Sequence, residues 1–372
     1  MRTLTKEDLE DILVGCTYLG CGGGGNFPRG LQRLYTDLEQ GLTFQLKAVE
    51  EMDDDEYAAA PYGLGSSAPT DPEQTRRYAT LPRISEQPTI ASFRLLERHL
   101  GKKFGAVIAG EIGPGNTASS LSLAAHLGIP SLDADTVGRA TPEINQHSVL
   151  VAGYPIVPAA AVSPFGDEVI LEKVGHPSRE EEIFRALSVV SLGVGVTDAA
   201  IPGRIAKQPG VLVVGSISHT AKLGKAYRQA IGGRRDPIAA VVEAGDGYRL
   251  FEGEIVDFQW KDIAGFLVGH VTLSGTGPYR GSRYRVAYKN EHLIAWLDDH
   301  VSVTAPDLIS IVETATARAI PNPNFERGQA VTVIGFRAAA LWRSPKGLKV
   351  FGPRYFGYDV PYVAIEERQH PR

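Results

Sequence analysis

Apolar residues near the amino end recur at Leu9, Ile12, Leu13 and Cys16, the spacing of one helix face. With Thr5 as N-cap and Asp8 three residues on, they predict a helix over residues 5–18. Leu31, Leu34 and Leu38 mark a second helix. The two are joined by Gly20-Cys21-Gly22-Gly23-Gly24-Gly25, and such a run persists in a folded chain mainly where backbone takes positive φ or approaches a ligand closely. Apolar runs then alternate with helical stretches: a strand at 106–109 ending in Gly110-Glu111, a helix at 119–127, and a strand at 129–132 ending in Asp133-Ala134-Asp135. That alternation implies crossover units and a mostly parallel sheet, with ligands beyond the carboxyl ends of its strands.

The alternation continues with a strand at 169–173, a helix from Ser178 carrying Glu180, Glu181 and Glu182 in its first turn, a strand at 211–214, and a helix starting near Ser218 or Thr220. From Gly247 the pattern changes to strands at 253–258, 266–273, 284–288 and 330–334, separated by turn residues. The expected fold class is α/β: an N-terminal α/β domain with a mostly parallel sheet, followed by a C-terminal α+β region ending in a β-rich subdomain. The expected domains are 1–168 and 169–372, the second divided into an α/β stretch at 169–245 and a β-rich part at 246–366.

Composition mainly excludes. A chain of 372 residues, 43% hydrophobic and 22% charged, is long enough for two domains with full cores. A net charge of −5 gives no basic footprint for nucleic acid. No apolar run reaches the roughly 18 residues of a membrane span, and the amino end has no apolar signal core, so a cytoplasmic location is expected. Cys16 and Cys21 alone make neither a disulfide framework nor a structural zinc site.

Candidate chemistry gathers at the predicted strand ends and loops. The glycine loop has no strand before it and lacks a Gly-Lys-Ser/Thr ending, so it is not a nucleotide loop; its amides at Gly22, Gly23, Gly24 and Gly25 can instead face an anion or a polarised carbonyl. Ser66 and Ser67 supply hydroxyls in a Gly/Pro-rich turn. Glu111 stands at a strand end, followed by Asn116 or Thr117 as a helix N-cap. Asp133, Asp135 and Glu143 lie with Arg139 within eleven residues, where like charges and a guanidinium can separate an acid from a base. His147, four residues after Glu143, suits a mixed imidazole and carboxylate metal site with Asp133, and zinc fits that ligand set. His219 follows a strand where a ligand-binding residue would sit. No Gly-x-Ser-x-Gly elbow is present.

Taken together, Leu19 to Gly25, Glu111-Ile112-Gly113 with Asn116, and Asp133-Ala134-Asp135 with Gly138-Arg139-Ala140 and Pro142-Glu143 resemble the bacterial S-methyl thiohydantoin desulfurase family. So do Gly253-Glu254-Ile255-Val256, Gly265-Phe266, Asn290-Glu291, Pro306-Asp307-Leu308-Ile309 and Gly352-Pro353-Arg354 with Phe356-Gly357-Tyr358. Members of that family often stand beside, or are fused to, hydantoinase and oxoprolinase proteins. The chain departs from the family pattern at Cys21, where a small hydroxyl residue is common, and at Pro114, where a second glycine is. The resemblance implies hydrolysis of a five-membered cyclic isothiourea to a hydantoin and methanethiol. Glu111, Asp135 or Glu143 would be the base, the glycine-loop amides would meet developing charge, Arg139 would anchor a substrate carboxylate, and Cys21 offers a covalent route. No cofactor is expected, although zinc remains open. A non-catalytic or regulatory partner of a hydantoinase-type enzyme, and a metal-dependent cyclic amide hydrolase, are the alternatives. A homo-oligomer is expected because Phe336, Trp342, Tyr355 and Tyr358 give the C-terminal part more apolar surface than a small subdomain buries.

Overall fold

The structure is a computed structural model describing residues 1–65 and 72–369. Its strands are β1 Arg2–Leu4, β2 Phe44–Lys47, β3 Tyr57–Leu64, β4 Phe104–Ala109, β5 Ser131–Asp135, β6 Ala159–Val162, β7 Glu168–Leu171, β8 Val194–Pro202, β9 Val213–Val214, β10 Tyr248–Ile263, β11 Phe266–Gly275, β12 Arg283–Lys289, β13 Glu291–Leu297, β14 His300–Thr304, β15 Leu308–Glu313 and β16 Ala330–Phe336. The first nine form one sheet in the order β1-β2-β5-β4-β3-β8-β6-β7, with β9 attached to β5. Neighbours among β2, β5, β4 and β3 are parallel, and the flanking pairs are antiparallel. The remaining seven form an antiparallel sheet, β14-β13-β12-β11-β10-β16-β15. The α/β class with a parallel core and a β-rich end is therefore observed. The 169–214 stretch adds β8 and β9 to the first sheet, so the second sheet begins only at Tyr248.

Helix α1, Lys6–Leu19, begins with the capping box that the sequence predicts: Thr5 accepts from the Asp8 amide and Asp8 accepts from the Thr5 amide. It crosses the helix Ser216–Gly232 at backbone contact, since a Cβ on Gly15 would sit 1.9 Å from the Thr220 carbonyl oxygen and one on Gly224 1.9 Å from that of Asp11. Helix α2, Phe27–Glu39, is capped by Asn26. The helix Pro114–Leu127 starts earlier than expected: Gly113 is its N-cap and Pro114 its first residue, with Asn116 and Thr117 already inside it.

Strands β15 and β16 join two cores. Ile309, Ile311, Val331 and Val333 point into the interior of the second sheet, while Leu308, Val312, Ile334 and Phe336 face the helical layer built on α1. Phe336 and Trp342, expected to need a partner molecule, are thus buried by their own chain, and Trp342 Nε1 donates to the Val137 carbonyl across 2.6 Å. No helix among the described residues is long and apolar enough to cross a membrane.

Candidate functional site

Three parallel strands finish side by side. Ala59 of β3 pairs with Val107 of β4, and Ala109 of β4 with Asp135 of β5, so the segments leaving all three emerge at one edge. The glycine loop closes over that edge, its Gly24 carbonyl accepting from the amides of Gly115 (2.9 Å) and Asn116 (3.3 Å). The second sheet reaches the same place: the His292 amide donates to the Cys21 carbonyl and the Asn322 amide to that of Gly22, both at 2.8 Å. Between these parts lies a cleft of about 1040 Å³ lined by residues 22–25 together with Glu111, Asn116, Glu143, His147 and Glu291. The loop requires glycine for two reasons. Gly22, Gly24 and Gly25 have φ of 86°, 75° and 92°, and a Cβ on Gly23 would sit 1.9 Å from Glu291 Oε1.

Glu111 is held on both oxygens. Asn116 Nδ2 donates to Oε1 at 2.7 Å and the Thr141 amide to Oε2 at 2.8 Å, while the Gly63 amide donates to Asn116 Oδ1 at 3.2 Å. Burial raises its carboxyl more than these donors lower it, and the nearby Asp135 charge adds to the rise, pushing it up to about 7. Glu291 is buried with Oε2 unpartnered, and burial together with the Glu111 charge holds it well above the usual carboxylate range. One cleft therefore presents a carboxylic acid beside a carboxyl group that ionises near neutrality, an arrangement suited to general acid and general base.

Tyr62 and His147 form another part of the wall, backed by the fully buried Asp198. Tyr62 donates to Asp198 Oδ2 at 2.8 Å, and Asp198 Oδ1 lies 3.6 Å from His147 Nε2. His147 Nδ1 accepts from the Val149 amide at 3.2 Å, capping the short helix Ser148–Val151. Glu180 is buried nearby in charge terms, raised by burial and then by the Asp198 charge, with neither oxygen partnered.

Two family models match the sequence, the S-Me-THD-like N-terminal domain at residues 7–173 and the S-Me-THD-like C-terminal domain at 176–365. The chain belongs to the S-Me-THD-like family. A crystal structure of a protein from Chromobacterium violaceum, a structural genomics target, matches with a TM-score of 0.77 and 23% identity, covering 98% of this chain and 100% of that one. That likeness shows the fold. No curated protein matches the sequence.

Within this S-Me-THD-like cleft several candidates take other roles than those expected. Asp135 has no solvent exposure and is not on the cleft wall; its Oδ2 accepts from the amides of Val137 (2.9 Å) and Gly138 (2.6 Å), and burial pushes it up to about 6. It shapes the turn that carries residues 136–143 to the cleft. Arg139 cannot anchor a substrate: buried, it donates to the carbonyls of Ala140 (2.9 Å), Pro306, Asp307 and His292 (each 3.0 Å), clamping the two sheets together. Cys21 lies in the core rather than on the cleft, and burial raises its thiol, which opposes a nucleophilic role. Glu143 lines the cleft but its oxygens are taken by Lys289 and the Tyr355 hydroxyl, which leaves it a poor base.

Asp133 is also engaged elsewhere, accepting from the Ser218 amide (2.8 Å) and hydroxyl (2.6 Å). His219 sits half-buried on that same helix, off the cleft. Asp133 and His147 therefore do not converge on a zinc site, and among the described residues no three His, Cys, Asp or Glu side chains are grouped to hold a metal. Ser66 and Ser67 lie outside the described residues. Glu111, Asn116 and the four glycines do line the cleft. Sequence reasoning misses Glu291 as a site residue, although Asn290-Glu291 is among the motifs of the resemblance; Asn290 has φ 59° in the tight β12–β13 hairpin that aims Glu291 at the loop. Tyr62, Arg185 and Arg318, also on the wall, carry no local motif.

Proposed function

We propose that the protein is a hydrolase that converts an S-methyl thiohydantoin to a hydantoin and methanethiol. The observation that carries the reading is Glu111, a buried carboxyl raised to about 7 on the wall of a cleft roofed by glycine-loop backbone. Membership of the S-Me-THD-like family supports the same chemistry.

In this reading ionised Glu111 takes a proton from water as the oxygen bonds to the ring carbon bearing the S-methyl group. The electron pair of the C=N bond moves to ring nitrogen, which receives the proton of Glu291. The tetrahedral adduct then collapses: its hydroxyl proton returns to Glu291 as the carbonyl forms, the C–S bond breaks, and methanethiolate takes the proton from Glu111. Both carboxyls end as they began, and one water is consumed. General-base removal of the water proton supplies roughly 10²- to 10⁴-fold. Arg139 and Cys21 act in folding rather than in the reaction.

The test is to incubate purified protein with an S-methyl thiohydantoin near pH 8 and to quantify methanethiol and hydantoin. Equal amounts of both, formed catalytically, are expected; absence of methanethiol above the uncatalysed rate defeats the reading.

A further inference from the structure

The two hydrogen bonds that fix Glu111 depend on two separate backbone segments. The Thr141 amide donates to Oε2 from a stretch between β5 and the helix Ser148–Val151 that is neither helix nor strand. Asn116 presents Nδ2 to Oε1 because its own Oδ1 accepts from the Gly63 amide, near the end of β3. A base held in this way is only as well directed as those two segments are fixed.

One buried side chain reaches both. Arg185, on the helix Ser178–Ser191, donates from Nη1 to the Gly65 carbonyl at 2.9 Å, two residues after Gly63, and from Nη2 to the Pro142 carbonyl at 3.2 Å, next to Thr141. Its Nε donates to Glu181 Oε1 at 2.8 Å, while Glu181 Oε2 accepts from the Ile144 amide at 2.7 Å. The pair therefore grips the segment 141–144 at two points. The guanidinium also lies over the Phe266 ring, 4.4 Å from its centroid, which braces it against the β10–β11 hairpin of the second sheet. Arg185 lines the cleft, yet all three of its nitrogens are engaged by its own chain. Its planar fork spans two carbonyls on different segments, which an ammonium does not reproduce.

We propose that Arg185, held by Glu181, is a positioning residue for Glu111: it locks the segments that carry the Gly63 and Thr141 amides, and through them the direction in which the Glu111 carboxyl faces the cleft. The role of Glu111 as a base rests on the hydrolase reading; its support by Arg185 does not.

Arg185→Lys keeps the positive charge that Glu181 and Glu291 face but loses the two-carbonyl bridge. The Asn116 and Thr141 bonds lower the Glu111 carboxyl against burial, so loosening them raises it. The charges around it, those of Asp135, Arg139 and Glu291, are untouched by the exchange. The experiment titrates ¹³C-glutamate-labelled protein by NMR, with the Glu111 signal identified by its loss in Glu111→Gln. The midpoint in Arg185→Lys should lie above that of wild type by roughly half to one pH unit, the scale of one weakened hydrogen bond. Turnover of an S-methyl thiohydantoin should fall roughly 10-fold or more at nearly constant KM, as for a displaced base. Phe266→Leu, which removes only the ring under the guanidinium, should move the midpoint the same way by less. Arg343→Lys disturbs another buried arginine–carboxylate pair, that with Asp307 away from the cleft, and should leave the midpoint where it was. An unmoved midpoint in folded Arg185→Lys, or in Phe266→Leu should Arg185→Lys not fold, overturns the proposal, as does an equal shift in Arg343→Lys. The titration needs no substrate. A shifted midpoint in protein that releases no methanethiol would sink the hydrolase reading alone, and methanethiol release with an unmoved midpoint would sink the role given to Arg185 alone.

Discussion

Replacing Glu111 by Gln should make the protein slower and more stable at once. Folding raises this carboxyl from 4.5 to about 7, so between those pH values the folded state holds a proton that the unfolded chain has lost. Stability from this group is therefore intact below about pH 4.5, falls as pH rises through the window, and levels off above about pH 7. At about 1.4 kcal/mol for each tenfold change, the ionised group costs the fold on the order of 3 kcal/mol at pH 8. Gln removes that cost but turns an amide donor toward Asn116 Nδ2, losing about 1 kcal/mol of hydrogen bonding. Glu111→Gln should thus unfold about 2 kcal/mol later than wild type in urea at pH 8, with no advantage at pH 4. Its kcat should fall by roughly 10²- to 10⁴-fold, and the rise of kcat/KM with an inflection near pH 7 should vanish. Urea titrations at the two pH values and a pH–rate profile measure both effects. A variant that keeps wild-type turnover, or is less stable than wild type at pH 8, refutes the reasoning.

Asp135→Asn should keep the inflection near pH 7, because Asp135 supports a turn and does not meet substrate; loss of that inflection in a pH–rate profile would return the base to Asp135. Arg139→Lys should lower stability by about 2–4 kcal/mol in urea titration, since an ammonium cannot reach the separate carbonyls that the guanidinium bridges, while KM of the folded protein stays the same. A raised KM without destabilisation would contradict this. Gly23→Ala should abolish turnover by displacing Glu291, and ordinary kinetics in a folded Gly23→Ala protein would count against the acid role given to Glu291.

What the sequence reveals about this molecule tracks how local the deciding interaction is. Helix α1 is legible because Thr5 and Asp8 cap each other three residues apart. The strand ends bearing Glu111 and Asp135 are legible because the alternation of strand and helix implies parallel neighbours. Strand β8 is not, since nearly all its residues are buried and no two-residue alternation survives. Strands β13 and β15 are hidden for the same reason, being buried over most of their length. Roles are harder still. Arg139 looks like an anchor in its own segment, and only carbonyls 153 to 168 positions away make it a clamp. Glu291 becomes a site residue because the second sheet folds back on the glycine loop, a contact that no local pattern encodes.

The most direct measurement is single turnover of an S-methyl thiohydantoin in H₂¹⁸O. Attack by water activated at Glu111 requires one ¹⁸O in the new carbonyl of the hydantoin, methanethiol in equal amount, and formation of both slowed by roughly 10²- to 10⁴-fold in Glu111→Gln. Hydantoin formed without the label, or labelled product at the wild-type rate from Glu111→Gln, would contradict it.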